Sequence, residues 1–166
     1  MLHRFRFVIA GVIIIMVNQA VSFAVSAGMP ATMRPAGTTR YAVAYVDDAF
    51  TNSVEWANIP GLSQSITIPS GKRADVFVSY CGEHTADYDG EELYVHALVG
   101  GSNATPGSAL LEAASRFSSI TRCASFYKLN VAAGTKTVRM QWAARFDGDR
   151  TFLMKGRIIV TINIHD

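Results

Sequence analysis

Two stretches near the C-terminus leave this chain little choice of secondary structure. Along residues 136–146, Val138, Met140, Trp142, Ala144 and Phe146 fall on one side, and Arg139, Gln141, Ala143 and Arg145 on the other. In the last segment Ile158, Val160, Ile162 and Ile164 alternate with Ile159, Thr161, Asn163 and His165. Successive side chains of an extended strand point to opposite faces, so each segment offers one apolar wall and one mostly polar wall. A helix would scatter both sets around its circumference. These stretches are therefore strands, each with one face turned to a core.

The same period recurs upstream. Further strands are expected at Arg40–Val46, Val54–Asn58, Gln64–Ile68, Asp75–Cys81, Glu92–Val99, Arg116–Ser119, Ser125–Val131 and Thr151–Lys155. Turn signals separate them: Pro60-Gly61, Pro69-Ser70-Gly71, Gly100-Gly101, Gly134 and Asp147-Gly148-Asp149. Only Ser108–Ser115 (SALLEAAS) reads as a helical turn or two. Short strands at this spacing, with no long helix between them, predict an all-β fold. The spacing suggests a sandwich or barrel of about ten short strands, formed by one domain over residues 40–166.

Residues 1–27 have the layout of a secretory signal peptide. A basic start (His3, Arg4, Arg6) precedes an apolar run from Phe7 to Val17, a polar break at Asn18 and Gln19, and small residues up to Ala27. Cleavage is expected after Ala27, with Ala24 as the other option. An uncleaved anchor is the competing reading, since Phe7–Ala27 approaches the roughly 20 residues that span a bilayer; Asn18, Gln19, Ser22 and Ser26 weaken it. Residues 28–39, with two prolines and two glycines, read as a flexible N-terminal arm.

Export changes the charge argument. The chain has 15 Lys+Arg and 13 Asp+Glu. Arg4 and Arg6 leave with the leader and no acid does, so the mature part carries 13 of each sign. Such a balance gives no steering towards nucleic acid or an anionic membrane, and a membrane partner is expected only if the leader stays.

Cys81 and Cys123 both lie in the mature part. In an oxidising compartment two cysteines are first read as a disulfide. Closing a loop of roughly 40 residues would stabilise the fold by about 4 kcal/mol on the chain-entropy model. Two free buried thiols are the alternative; a metal site lacks a Cys-x-x-Cys or paired histidines.

Two segments carry a resemblance. Ser65–Tyr80 (SITIPSGKRADVFVSY) and Phe126–Trp142 (FYKLNVAAGTKTVRMQW) each run strand, glycine turn, strand, and the chain closes on an apolar strand. This order is similar to that of jelly-roll domains of the C1q and tumour-necrosis-factor type. It covers most of residues 40–166 as a pattern of strands and turns, without the collagen-like Gly-x-y stalk. The resemblance implies an antiparallel β-sandwich, jelly-roll-like, of about eight to ten strands, that assembles as a homo-oligomer, a trimer in those families.

The densest polar chemistry lies in Gly82–Glu92 (GEHTADYDGEE), read as a loop. Asp87, Asp89 and Glu92 could offer oxygen ligands to calcium, because alternate acids around a glycine turn wrap a hard cation. The rest of the EF-hand pattern is missing, and a solvated loop explains the acids equally well; otherwise no cofactor is expected. Trp56, Tyr88 and His84 are the candidate ligand-binding residues, the aromatics by stacking on a sugar ring or anchoring a contact. No catalytic residues are assigned: there is no Gly-x-Ser-x-Gly elbow, His96 shares a strand face with Tyr94 and Leu98, and His165 is next to the terminus, where fraying is expected. The expected function is that of a secreted, periplasmic or cell-surface module that is not an enzyme and acts by binding or self-assembly. A carbohydrate-binding module, with or without calcium, and a surface-fibre subunit using the arm are the alternatives; carbohydrate and protein are the candidate ligands.

Overall fold

The computed structural model describes residues 38–87, 91–112, 118–147 and 150–166. The expected leader and residues 28–37 of the arm lie outside the described residues. So do Tyr88, Asp89, 113–117 and the Gly148-Asp149 turn. Every described residue belongs to one compact unit, Arg34–Asp166.

Seven strands follow one another: β1 Thr38–Thr51, β2 Ala57–Ala86, β3 Glu92–Val99, β4 Ser102–Asn103, β5 Ala109–Glu112, β6 Ile120–Ala144 and β7 Thr151–His165. All pairings are antiparallel. Two strands are several times the usual five or six residues. β2 (30 residues) and β6 (25 residues) pair along nearly their whole length, with the register broken between Ile68 and Arg73. At that break Gly71 has φ 74° and Gly134, on the facing strand, has φ 108°. Glycine takes such angles without strain, so both strands can bend there and pass from one layer to the other.

The bend builds a sandwich from one continuous sheet. The first layer runs β1, β7, β2 over residues 73–86, and β6 over residues 120–132. The second runs β2 over residues 57–68, β6 over residues 134–144, β3, and then β5 with the two-residue β4. Numbered as eight pieces in chain order, the layers read 1-8-3-6 and 2-7-4-5. That is the order of a jelly roll, in which hairpins fold over between two four-stranded sheets. The expected strand count holds once each half of β2 and β6 is counted by layer.

The alternation read from the sequence decides what lies between the layers. Val138, Met140, Trp142, Ile158 and Val160 are all buried, with Val76, Val78, Tyr80, Leu93, Val95 and Leu153 against them. Each large apolar side chain so buried contributes about 1.5–3 kcal/mol. Two seams close the sandwich. At one, Gln64 Nε2 donates to the Val43 carbonyl at 2.7 Å, from β2 to the free edge of β1. At the other, Thr105 and Tyr127 exchange backbone hydrogen bonds of 2.8 and 2.9 Å.

Several expectations are corrected. The helical turn at Ser108–Ser115 is instead β5 over its described part, Ala109–Glu112, paired with the edge of β3. Eight residues are too few for a stable isolated helix, whereas the β3 edge offers hydrogen bonds and a core site for Leu111. The expected strand Arg116–Ser119 has no strand residue in its described part, and β6 begins at Ile120. Phe146 lies beyond the end of β6 and is 58% exposed; the Arg145 guanidinium carbon sits 5.0 Å from its ring centre. β7 runs unbroken through both of its expected pieces to His165. That residue is no frayed end: its Nε2 lies 3.3 Å from Asp75 Oδ1. The acidic loop is also shorter than read, because β2 continues to Ala86 with alternate residues buried.

Candidate functional site

Three places carry the side chains that sequence reasoning singled out: the interior beside the end of β2, the outer face of the first layer, and the outer face of the second.

His84 belongs to the interior. With the strand continuing through 82–86, Tyr80, Gly82 and His84 share the inward side of β2, and His84 is wholly buried. Tyr80 Oη and His84 Nε2 lie 2.9 Å apart, a hydrogen bond between residues i and i+4 of one strand. It exists because Gly82 lies between them: a Cβ there would come within 2.7 Å of His84 Nε2 and of Leu153 Cδ1. Burial, helped by the Arg122 charge, lowers the His84 pKa to about 4, and burial pushes the Tyr80 hydroxyl well up. Both groups are thus neutral at ordinary pH. As an outward-facing ligand residue His84 is corrected; it is a packed core histidine.

The outer face of the first layer holds the disulfide. Cys81 and Cys123 are direct cross-strand partners, bonded as expected, with Cα atoms 4.1 Å apart. They continue a row that begins at Tyr45 on β1 and passes Arg157 on β7. The next row is mostly charged: Asp47, Lys155 and Glu83, with Thr121. Together the rows line an open depression of about 480 Å³. On the other side of the cysteines the face turns apolar. One row is Val43, Ile159, Ser79 and Ser125; the next is Tyr41, Thr161, Phe77 and Tyr127. Tyr41 is 71% exposed, Tyr45 68% and Val43 39%.

Towards the end of this layer, Phe50 and Phe152 face each other with ring centres 6.1 Å apart, and Arg150 lies over both rings. Nearby, Glu92 forms an ion pair with Arg145. Of the expected calcium ligands, Glu92 is thereby engaged, Asp87 donates its backbone N–H to the Arg150 carbonyl at 3.2 Å, and Asp89 lies outside the described residues. Among the described residues no group of three or more His, Cys, Asp and Glu is placed to hold a metal ion.

The outer face of the second layer brings together residues that sequence reasoning had only partly connected. Asn58 on β2, Gln141 on β6 and His96 on β3 are neighbours in one cross-strand row. His96 Nε2 bonds Gln141 Oε1 at 2.7 Å, and Gln141 Nε2 donates to Asn58 Oδ1 at 2.8 Å. Trp56 precedes β2 and lies flat on the imidazole, with ring centres 3.9 Å apart and planes 10° from parallel. The stack leaves His96 5% exposed and Trp56 41% exposed. Trp56 is therefore the candidate ligand residue that the structure does present to solvent, while Tyr88 lies outside the described residues. In the sequence His96 stands out only as a histidine on a strand face with Tyr94 and Leu98, and for Gln141 and Asn58 the outward side of their strands is the only signal.

No family model matches the chain, and no curated protein matches it. Among solved structures the chain is similar to dimeric latent PorU from Porphyromonas gingivalis, at 10% identity over 77% of this chain, with TM-score 0.46. It is similar to infectious bursal disease virus, Gx strain, at 11% identity over 81% of this chain, with TM-score 0.45. It is also similar to TmCBM61 in complex with β-1,4-galactotriose, at 14% identity over 72% of this chain and 86% of that one, with TM-score 0.35. The chain spans 13% and 36% of the first two. No residue role is taken from these likenesses.

Proposed function

We propose that this chain is an exported, non-catalytic jelly-roll module that works by non-covalent contact, and that its first-layer outer face joins copies of the chain. The observation that carries the reading is the strip of Tyr41, Val43 and Tyr45 along the outward side of β1, all exposed. Ile159 and Phe77 extend it across two more strands. Large aromatics and aliphatics grouped on a rigid sheet gain most from being covered by another protein surface.

The described histidines support binding over catalysis. His84 is buried against Tyr80, His96 lies under Trp56 and bonded to Gln141, and His165 is bonded to Asp75. Export is supported by the Cys81–Cys123 bond, which persists in oxidising compartments, together with the signal-peptide layout of residues 1–27. A trimer, as the C1q and tumour-necrosis-factor resemblance implies, is the finer form of the assembly reading.

Light scattering after size exclusion tests it. The secreted protein is expected to run as a discrete oligomer, and the Tyr41→Asp/Tyr45→Asp variant as a folded monomer. A strict monomer at millimolar concentration overturns assembly through this face.

A further inference from the structure

We infer that the outer face of the second layer is a carbohydrate-stacking site, with Trp56 as the platform and a neutral pyranose chain as the ligand. The inference rests on the reading of the chain as a non-catalytic binder and gives that reading a ligand class on a face other than the one assigned to self-contact.

The argument begins with the two sides of one indole. One side of Trp56 is covered by His96 in a parallel stack 3.9 Å deep, and the indole as a whole is still 41% exposed. What remains is a flat apolar surface resting on an imidazole whose Nε2 is bonded to Gln141. Sugar rings are amphipathic in the matching way: a face of C–H groups ringed by hydroxyls. An aromatic plane covers the C–H face, and polar groups at its rim must meet the hydroxyls.

The rim is supplied by the same row. Gln141 donates to Asn58 Oδ1, which fixes the Asn58 carboxamide with its N–H group turned away from Gln141 and, on an exposed residue, towards solvent. The chain His96–Gln141–Asn58 thus orders a donor, before any ligand arrives, in the row whose His96 carries the indole, so little ordering cost is left for binding. The neighbouring rows add further hydroxyl-bonding groups. Tyr94 stands one row away, with the small Ala143 as its cross-strand partner, and Arg139 stands one row away on the other side, between Ser63 and Leu98. Three adjacent strands carry the polar groups, so their spacing is fixed by sheet geometry, and Trp56 is the residue just before β2.

Trp56 and Trp142 are the chain's two tryptophans, and Trp142 is 2% exposed in the core. Trp142 also emits but is shielded from ligand, so a ligand-dependent change in emission reports Trp56. The experiment titrates the full secreted protein with cellotetraose, with tetragalacturonate as the anionic arm, and follows emission and heat. The expected result is saturable quenching with a blue shift by cellotetraose. Trp56→Ala should weaken binding at least tenfold, Asn58→Ala about fivefold, and Trp56→Phe should keep part of it, with circular dichroism unchanged in all three. Binding of cellotetraose that survives Trp56→Ala, or the absence of any saturable response, overturns the site. Tetragalacturonate binding alone overturns the neutral ligand class.

Chromatography of the same samples keeps the two readings apart. Cleavage of the tetrasaccharide would remove the non-catalytic reading itself. Intact sugar with no binding would remove only this site and leave assembly standing.

Discussion

Protonating His84 would place a charge beside Tyr80 and Leu153, among side chains that are themselves wholly buried. Its folded pKa of about 4 lies below the ordinary 6.5. A proton therefore binds more tightly to the unfolded chain, and the sign follows. Above pH 6.5 both states are neutral at this residue and stability is at its full value. Between 6.5 and 4 the unfolded chain takes up the proton first, so stability falls as the pH falls. The loss levels off below 4 at about 3 kcal/mol. Urea midpoints at pH 7.5 and pH 4 measure it, and His84→Leu should flatten the difference although it lowers stability at neutral pH. A midpoint that does not move in the unsubstituted protein contradicts the buried neutral histidine. Gly82 is the companion test. Gly82→Ala forces apart the Tyr80–His84 bond and Leu153, and should cost about 2–3 kcal/mol at neutral pH, read as a shift in the same urea midpoint.

At the scale of the elements, the two longest strands hold most of the fold's information. β2 and β6 pair over both layers, and the disulfide lies within the first-layer half of that pairing. On the chain-entropy model, removing a cross-link across 42 positions of sequence lowers stability by about 4 kcal/mol. The Cys81→Ser/Cys123→Ser variant should therefore unfold at lower urea while keeping its strand circular dichroism. Loss of that signal in buffer would mean that the pairing depends on the covalent bond.

What could be read in advance follows from the same elements. Where one face of a strand is buried and the other is wet, as in 138–144 and 158–164, the pattern is explicit in the residues. The acidic stretch misled because Gly82 and His84 are polar or small on an inward face, where the alternation of residue types gives no sign of burial. β5 misled because four residues carry too short a pattern to separate sheet from helix, and the partner edge at β3 that decides between them is distant in sequence. The candidate site was legible only at Trp56. The links from Asn58 through Gln141 to His96 span residues 58 to 141 and come from register, which a single sequence does not display.

The molecule as a whole has two outer faces on opposite sides of one core. The first-layer face groups apolar rows beside a charged depression; the second-layer face holds one aromatic platform on a polar row. If contact between copies uses the former, substitutions on the latter should leave the assembly intact. Trp56→Ala is expected to keep the oligomeric mass within error in light scattering, whereas Tyr41→Asp/Tyr45→Asp reduces it to that of one chain. Loss of mass in the Trp56 variant would show that the two faces are not independent.

Hydrogen–deuterium exchange as a function of protein concentration tests most directly whether the first-layer face is where the chain meets its copies. The prediction is protection that grows with concentration along residues 40–46 of β1, while residues 92–99 of β3 exchange at a constant rate. Exchange along β1 that is the same at micromolar and millimolar protein would contradict it.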